Sequence, residues 1–227
     1  MYKYRENFYE KYEGCREGER ALVFFHGFPG LVTKNQDCAK FCSSALAADT
    51  YVFHYKGLGV SSGDFTFVEA LENASSFVGY ICEKKRNVSI IAHSFGCLAG
   101  IFSASINMKS IDKLVLTGPV LESISEEELK ILLSETKAAC EVSKKININY
   151  QKCIEEFAKF KILYNYQNLI KKIDKNKINV IAAQKDRVVN NKIIEKNKND
   201  FSNLIYIDDN HWFENRREYF DKILGLL

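Results

Sequence analysis

Residues 88–104 have the sequence VSIIAHSFGCLAGIFSA, and this stretch decides the fold. A short β-branched run leads into Ala92-His93-Ser94-Phe95-Gly96, and helical spacing continues over residues 97–104. The small residues Ala92 and Gly96 permit a tight turn, because a bulky side chain at either position would collide with the opposite limb. We therefore predict a strand, a sharp turn and a helix, with Ser94 at the apex as a nucleophile. The alternative is a buried serine at an ordinary helix start.

Short apolar runs on both sides of this stretch alternate with segments of helical spacing. Runs that are apolar on both faces are typical of strands buried in a parallel sheet. The alternation predicts an α/β protein with a mostly parallel, doubly wound sheet, and the first twenty residues leave room for one or two edge strands. The predicted strands are residues 21–26, 51–55, 88–93, 114–117, 180–184 and 204–207, and the predicted helices are about 36–48, 67–85, 95–107, 192–198 and 213–226.

Residues 120–172 interrupt this alternation, because they contain no strand-like run. They contain two or three amphipathic, charged helical patterns instead. One of these begins with Ser125-Glu126-Glu127-Glu128, which places acids in the first turn of a helix, where the helix dipole favours them. We predict a helical cap insertion at residues 120–172 and an α/β core formed by residues 1–119 and 173–227.

Composition limits the partners and the compartment of the protein. The chain has 227 residues, of which 46% are hydrophobic, and its net charge is +3. Such a weak charge imbalance does not favour nucleic acid or a membrane surface as a partner. The N-terminus is too charged for a signal peptide, and no apolar run reaches the ~18 residues that span a bilayer. We expect a cytoplasmic protein without stable membrane association, and its oligomeric state stays open.

The cysteines are scattered, and their spacing does not produce a CxxC pair or a Cys/His cluster. We therefore expect reduced thiols and no metal site. The seven are Cys15, Cys38, Cys42, Cys82, Cys97, Cys140 and Cys153.

Chemistry in open α/β sheets collects at the carboxyl ends of the strands, so the residues that follow each predicted strand are informative. His26-Gly27-Phe28-Pro29-Gly30 follows the first run, and its glycines allow backbone N–H groups to approach a ligand. An oxyanion hole needs two such donors about 3 Å from the developing charge. The backbone N–H groups of Phe28 and Phe95 are the candidates, and an ordinary glycine turn is the alternative.

Asp186 follows the run at residues 180–184, where a carboxylate can hold an imidazole ring. A helix N-cap is an equally good local interpretation of this aspartate. Asp208 and Asp209 are closer to His211 along the chain, but neighbouring side chains after a strand end point in different directions. The order of the partners along the chain therefore favours Asp186.

Of the four histidines, only His211 follows the acid, and it lies at the end of the last predicted strand. The order Ser94, Asp186, His211 is the one that the topology of this fold class demands for a triad. His93 is interpreted as a neighbour of Ser94 that points away from it. His26 is interpreted as a brace of the glycine turn, and His54 as a core or rim residue.

These residues resemble the α/β-hydrolase superfamily over nearly the whole chain. Ala92 replaces the first glycine of the G-x-S-x-G pattern. Residues 55–65, YKGLGVSSGDF, look like the R-G-x-G-x-S-x-G segment of that family, with Lys56 in place of the arginine. The chain is similar to small feruloyl/cinnamoyl-esterases and monoacylglycerol-lipase-like esterases. The resemblance implies an eight-stranded sheet with a cap after the sixth strand, no cofactor, and catalysis by Ser94, Asp186 and His211 with the Phe28 and Phe95 N–H groups.

The predicted function is a serine hydrolase that cleaves a small-molecule carboxylic ester through an acyl-enzyme. A serine nucleophile argues against a dehalogenase, which uses aspartate. A thioesterase or acyltransferase that acts on CoA- or carrier-bound acyl groups shares every catalytic residue. The phosphates of such a substrate could meet four lysines, Lys144, Lys145, Lys171 and Lys172. The alternative interpretation of these lysines is a solvated helix face. A non-catalytic binding protein is the third possibility.

The substrate pocket is predicted from His93 and from aromatic residues of the cap. A cap over a cleft is where an acyl or aryl group would be buried. The alternative is that these aromatic residues only dock the cap on the sheet. The pocket candidates are His93, Phe157, Phe160 and Tyr164, with Tyr150 and Tyr166 nearby in the cap.

Overall fold

The computed structural model describes residues 1–14, 19–30, 33–122, 124–142 and 146–227. Within them, eight strands form one sheet in the order β1-β2-β4-β3-β5-β6-β7-β8. The first two strands and β4 pair antiparallel, and all later pairs are parallel, so the predicted mostly parallel sheet is confirmed. The strands are β1 (Tyr2–Tyr4), β2 (Asn7–Tyr12), β3 (Arg20–Phe25), β4 (Asp49–His54), β5 (Asn87–His93), β6 (Ile111–Thr117), β7 (Ile178–Ala183) and β8 (Asn203–Ile207).

Helices pack on both faces of this sheet. Those with strongly apolar faces, such as α2 and α3, bury them in the larger of two core clusters. The second cluster lies on the opposite face and includes Cys38 of α1 and Tyr219 of α9. No helix of the described residues is long and apolar enough to cross a membrane. The helices are α1 (Thr33–Leu46), α2 (Phe67–Cys82), α3 (Phe95–Ile106), α4 (Glu126–Val142), α5 (Tyr150–Glu155), α6 (Phe157–Leu163), α7 (Tyr166–Ile170), α8 (Asn191–Lys196) and α9 (Arg216–Leu226).

The chain between β6 and β7 contains α4 to α7, which agrees with the helical pattern of residues 120–172. It also contains short extended pieces that the sequence pattern did not predict. Ile146 and Ile148 form isolated bridges with Leu58 and Phe65. Backbone hydrogen bonds from Asn147 to Gly57 (2.7 Å) and from Phe65 to Asn147 (2.8 Å) fix the same contact. Whether the segment is a separate cap stays a prediction.

Some residues singled out from the sequence fall outside this description. Lys144, Lys145 and Cys15 lie beyond the described residues. Lys171 and Lys172, at the end of α7, are exposed to solvent. Free thiols occur at Cys38, Cys42, Cys82, Cys97 and Cys153.

Candidate active site

The turn between β5 and α3 holds Ser94 in a strained backbone conformation. Its φ is 53° and its ψ is −121°, a region that a residue with a side chain rarely occupies. The Ser94 N–H donates to Thr117 O at 3.0 Å, which fixes the turn to the end of β6. A Cβ atom on Gly96 would lie 2.7 Å from His26 O, so only glycine permits α3 to start this close to the end of β3.

Ser94, His211 and Asp186 form a continuous chain of hydrogen bonds. Ser94 Oγ lies 3.0 Å from His211 Nε2, although the two residues are 117 positions apart. On the other side of the ring, His211 Nδ1 lies 2.8 Å from Asp186 Oδ2. The side chains of His211 and Asp186 are 3% and 1% exposed. The carboxylate accepts a hydrogen bond from Nδ1–H, and the tautomer with its proton on Nδ1 leaves Nε2 as an acceptor for the serine hydroxyl.

The second oxygen of Asp186 holds the turn after β7. Asp186 Oδ1 accepts hydrogen bonds from the backbone N–H groups of Val188 and Val189, both at 2.8 Å. Burial alone would raise the pKa of Asp186, but the hydrogen bonds from the His211 ring and from the two backbone N–H groups outweigh it. The pKa of Asp186 is therefore lowered, and the carboxylate is ionised at neutral pH.

The two competing aspartates have other partners. Asp208 is exposed and pairs with Lys185 Nζ at 2.8 Å. The Asp209 carboxylate accepts hydrogen bonds from the backbone N–H groups of Asn210 (2.7 Å) and Asn215 (2.9 Å), so it orders the loop that leads into α9. Each carboxylate is thus committed to a contact other than the His211 ring.

The loop after β3 lies directly against Ser94. A Cβ atom on Gly27 would be 3.1 Å from Ser94 Cβ, and the rings of Phe28 and Phe95 are 6.0 Å apart. His26 Nδ1 lies 2.7 Å from Gly27 O, as expected for a histidine that braces the turn. The backbone N–H groups of Phe28 and Phe95 therefore belong to the two segments that flank Ser94.

A cavity of about 730 Å³ opens at Ser94, which is within the size range of small-molecule sites. His93 lines it, and its ring centre is 5.0 Å from that of His211. Its Nδ1 lies 3.1 Å from Thr117 O, which orients the ring. The other lining residues are His26, Gly27, Phe28, Pro29, Gly30, Asn35, Ser94, Ile146, Val188, His211, Trp212, Phe213, Glu214 and Arg216.

The aromatic candidates Phe157, Phe160 and Tyr164 are not among the residues that line this cavity, and their role in binding a substrate stays a prediction. All three are buried in the larger core cluster. Phe160 packs on Phe67 of α2 with ring centres 5.6 Å apart, and Tyr164 OH donates to Val120 O at 3.1 Å. The apolar face of α6 therefore packs against α2.

Other residues of the cavity were not identified from the sequence. Val188 and Trp212 are 62% and 60% exposed, and each lies within two positions of a triad candidate, so position along the chain could have indicated them. Asn35 and Ile146 come from a helix start and from the segment between β6 and β7, and no local pattern marks them.

No protein-family model and no curated protein matches this sequence. Solved structures match it over almost its whole length. A lipase-esterase related protein from Clostridium acetobutylicum has a TM-score of 0.70 at 15% identity, over 98% of this chain and 100% of that chain. An esterase from Exiguobacterium antarcticum has a TM-score of 0.73 at 13% identity, over 96% of this chain and 94% of that chain.

A third similar structure is Est1E from Butyrivibrio proteoclasticus, solved with ferulic acid bound. Its TM-score is 0.66 at 15% identity, over 97% of this chain and 95% of that chain. At this identity the likeness establishes the fold. The chain has the α/β-hydrolase fold.

Proposed function

We propose that the protein is a serine hydrolase that cleaves a carboxylic ester through an acyl-enzyme on Ser94. The observation that carries the proposal is the chain of hydrogen bonds from Ser94 Oγ through the His211 ring to Asp186 Oδ2, at 3.0 and 2.8 Å. A nucleophile, a base and a group that orients the base are the parts that acyl transfer requires.

In the proposed reaction, Ser94 Oγ attacks the ester carbonyl carbon while its proton passes to His211 Nε2. The new oxyanion accepts hydrogen bonds from the Phe28 and Phe95 N–H groups, and one such donor is worth roughly 3–4 kcal/mol. The alcohol leaves with the proton from His211. Water then gives a proton to His211 and attacks the acyl carbon, which releases the acid and restores the Ser94 hydroxyl.

Two observations favour an ester over a CoA-bound thioester as the substrate. The solved structures of similar fold include proteins named as esterases. Of the described residues that line the cavity, only Arg216 carries a fixed positive charge, and it is paired with Asp37. The phosphates of a CoA carrier would therefore meet a cation that is already neutralised.

The experiment combines active-site labelling with a substrate panel. A fluorophosphonate probe should label the wild-type protein at Ser94 and should leave Ser94→Ala unlabelled. Aryl and alkyl esters, acyl-CoA and carrier-bound thioesters should then be compared by kcat/KM, and we expect the esters to be preferred. Labelling without turnover of any ester would indicate a different acyl donor, and absence of labelling would contradict the nucleophile.

A further inference from the structure

The apolar lining of the cavity at Ser94 has an exposed side and a partly enclosed side. On the exposed side, Val188 and Trp212 are largely open to solvent. On the enclosed side, Phe28 and Ile146 are partly buried, and both pack against the larger core cluster. A group bound against Phe28 and Ile146 therefore meets walls that the core supports, whereas a group bound beside Trp212 can extend into solvent.

Ile146 belongs to the extended piece at residues 146–148, which lies between the helices α4 and α5. Among the described residues between β6 and β7, it is the one that lines the cavity. The next residue, Asn147, is tied to a neighbouring loop, since its N–H donates to Gly57 O at 2.7 Å and its carbonyl oxygen accepts from the Phe65 N–H at 2.8 Å. Ile146 is therefore held at the cavity by backbone hydrogen bonds that do not depend on its own side chain.

Phe28 rests on the same support. Its ring centre lies 4.9 Å from that of Phe65 and 5.2 Å from that of Phe67. Phe65 is 1% exposed, and it also forms the bridge with Ile148 and the backbone hydrogen bond with Asn147. Because protein cores are close-packed and yield little, two walls that share one buried residue set a firm limit on the group that binds against them.

The catalytic groups assign these two sides to the two portions of the ester. In the proposed reaction His211 gives its proton to the departing alcohol, so the alcohol portion lies within hydrogen-bond reach of His211 Nε2. Trp212 follows His211 directly, and the two ring centres are 5.3 Å apart, which places the exposed side next to the alcohol. The oxyanion faces the Phe28 N–H, so the acyl chain leads away from His211 on the Phe28 side.

We propose that Ile146 limits the length of the acyl chain, so that the protein selects esters of short apolar acids and accepts alcohols of very different size. The substrate class is thus defined by the acid portion of the ester, and the alcohol portion projects past Trp212 into solvent. The proposal rests on the ester hydrolysis proposed above.

Two series of esters that share ethyl butyrate test the assignment. The acyl series consists of the ethyl esters of acetic, butyric, hexanoic and octanoic acid. The alcohol series consists of the butyrates of ethanol, butanol and triethylene glycol monomethyl ether. Acid release by pH-stat titration gives kcat/KM for each ester. In the wild-type protein kcat/KM should fall by about tenfold or more from the best acid to octanoic acid, and it should vary less than about threefold along the alcohol series.

Substitutions of opposite size at Ile146 should move the limit in opposite directions. Ile146→Ala should raise kcat/KM for ethyl octanoate relative to ethyl butyrate by about tenfold, and Ile146→Trp should shift the preference towards ethyl acetate. A loss of stability cannot produce both shifts, and melting curves show which variants are folded at the assay temperature. The matched control is Ile162→Ala, because Ile162 also lies between β6 and β7 but is 81% exposed and is not among the residues that line the cavity. It should keep the wild-type acyl profile.

All three variants should keep the wild-type order along the alcohol series. An acyl profile that stays the same in both Ile146 variants would overturn the proposal while leaving the proposed function intact. So would a wild-type protein that discriminates alcohols more strongly than acids. A protein that hydrolyses none of these esters would instead contradict the proposed function.

Discussion

The loops at the ends of β5, β7 and β8 and the helical segment between β6 and β7 use their side chains differently. The three loops bring Ser94, Asp186 and His211 within hydrogen-bond distance of one another, from positions up to 117 residues apart. The helical segment places its large aromatic side chains against α2 and α3, away from the cavity. The three loops use buried polar side chains to position one another, and the helical segment uses buried apolar side chains to pack against the core.

The comparison shows what a local sequence can specify. A strand end followed by a tight turn fixes where a side chain goes, because small residues such as Gly96 are required for the turn itself. An amphipathic helix specifies that it has an apolar face, but not which surface that face covers. Phe160 would look the same in sequence whether it faced a ligand or Phe67.

The largest expected effect is at the apex of the first loop. Ser94→Ala should reduce kcat for ester hydrolysis by a factor on the order of 10⁶, as expected for loss of a nucleophile. Thermal unfolding should be nearly unchanged, because alanine fits the same turn and, among the described residues, the Ser94 hydroxyl loses one hydrogen bond, to the His211 ring. Steady-state kinetics and a melting curve of the purified variant measure both. More than a tenth of wild-type turnover would contradict the role of Ser94.

The second prediction separates Asp186 from its neighbours along the chain. Asp186→Asn should reduce kcat by a factor on the order of 10⁴, because an amide can hold His211 in the wrong tautomer. Asp208→Asn and Asp209→Asn should each cost less than about tenfold, since their carboxylates contact Lys185 and the backbone of the α9 loop. The measurement is kcat for all three variants on one aryl ester. A large loss at Asp208 or Asp209 with an active Asp186→Asn would reverse the assignment.

Much of the fold was predictable from the sequence because β3, β4, β5 and β7 are short runs buried on both faces, whereas β6 and β8 also contain exposed positions. Asp186 was ambiguous between a helix cap and a partner of a histidine, and its two oxygens make a backbone contact and a histidine contact at once. The bridges at Ile146 and Ile148 were missed because two isolated pairs leave no periodic pattern. The cavity wall at Asn35 depends on long-range packing of α1 against α9, which local sequence does not contain.

The third prediction compares one aromatic residue from each region. Phe160→Ala should lower the free energy of unfolding by about 3–5 kcal/mol, since it empties a buried site. At a temperature where the variant stays folded, kcat/KM should change less than threefold for every ester. Trp212→Ala should have the opposite profile, because this side chain is 60% exposed and lines the cavity. Its unfolding free energy should change by less than about 0.5 kcal/mol.

The ester panel should also distinguish the two variants. Trp212→Ala should reduce kcat/KM for aryl esters several-fold more than for short alkyl esters, because an aromatic group would lose an apolar contact. Denaturant titration and kinetics on the same preparations supply both quantities. If Phe160→Ala altered the order of preference among esters at unchanged stability, α6 would have to contact the substrate.

The smallest expected effect concerns one hydroxyl group in the helical segment. Tyr164 is 2% exposed, and its OH donates to Val120 O at 3.1 Å, just after the loop that follows β6. Tyr164→Phe keeps the ring and removes this hydrogen bond, so the unfolding free energy should fall by about 1 kcal/mol. Because the ring does not line the cavity at Ser94, kcat/KM should stay within twofold for aryl and alkyl esters alike. A residue that bound the substrate through its hydroxyl would give the reverse result, with stability retained and one class of ester selectively lost. Denaturant titration therefore decides between docking and binding here, provided that it is read together with the ester panel. An unchanged unfolding free energy with altered ester preference would show that the segment reaches the substrate after all.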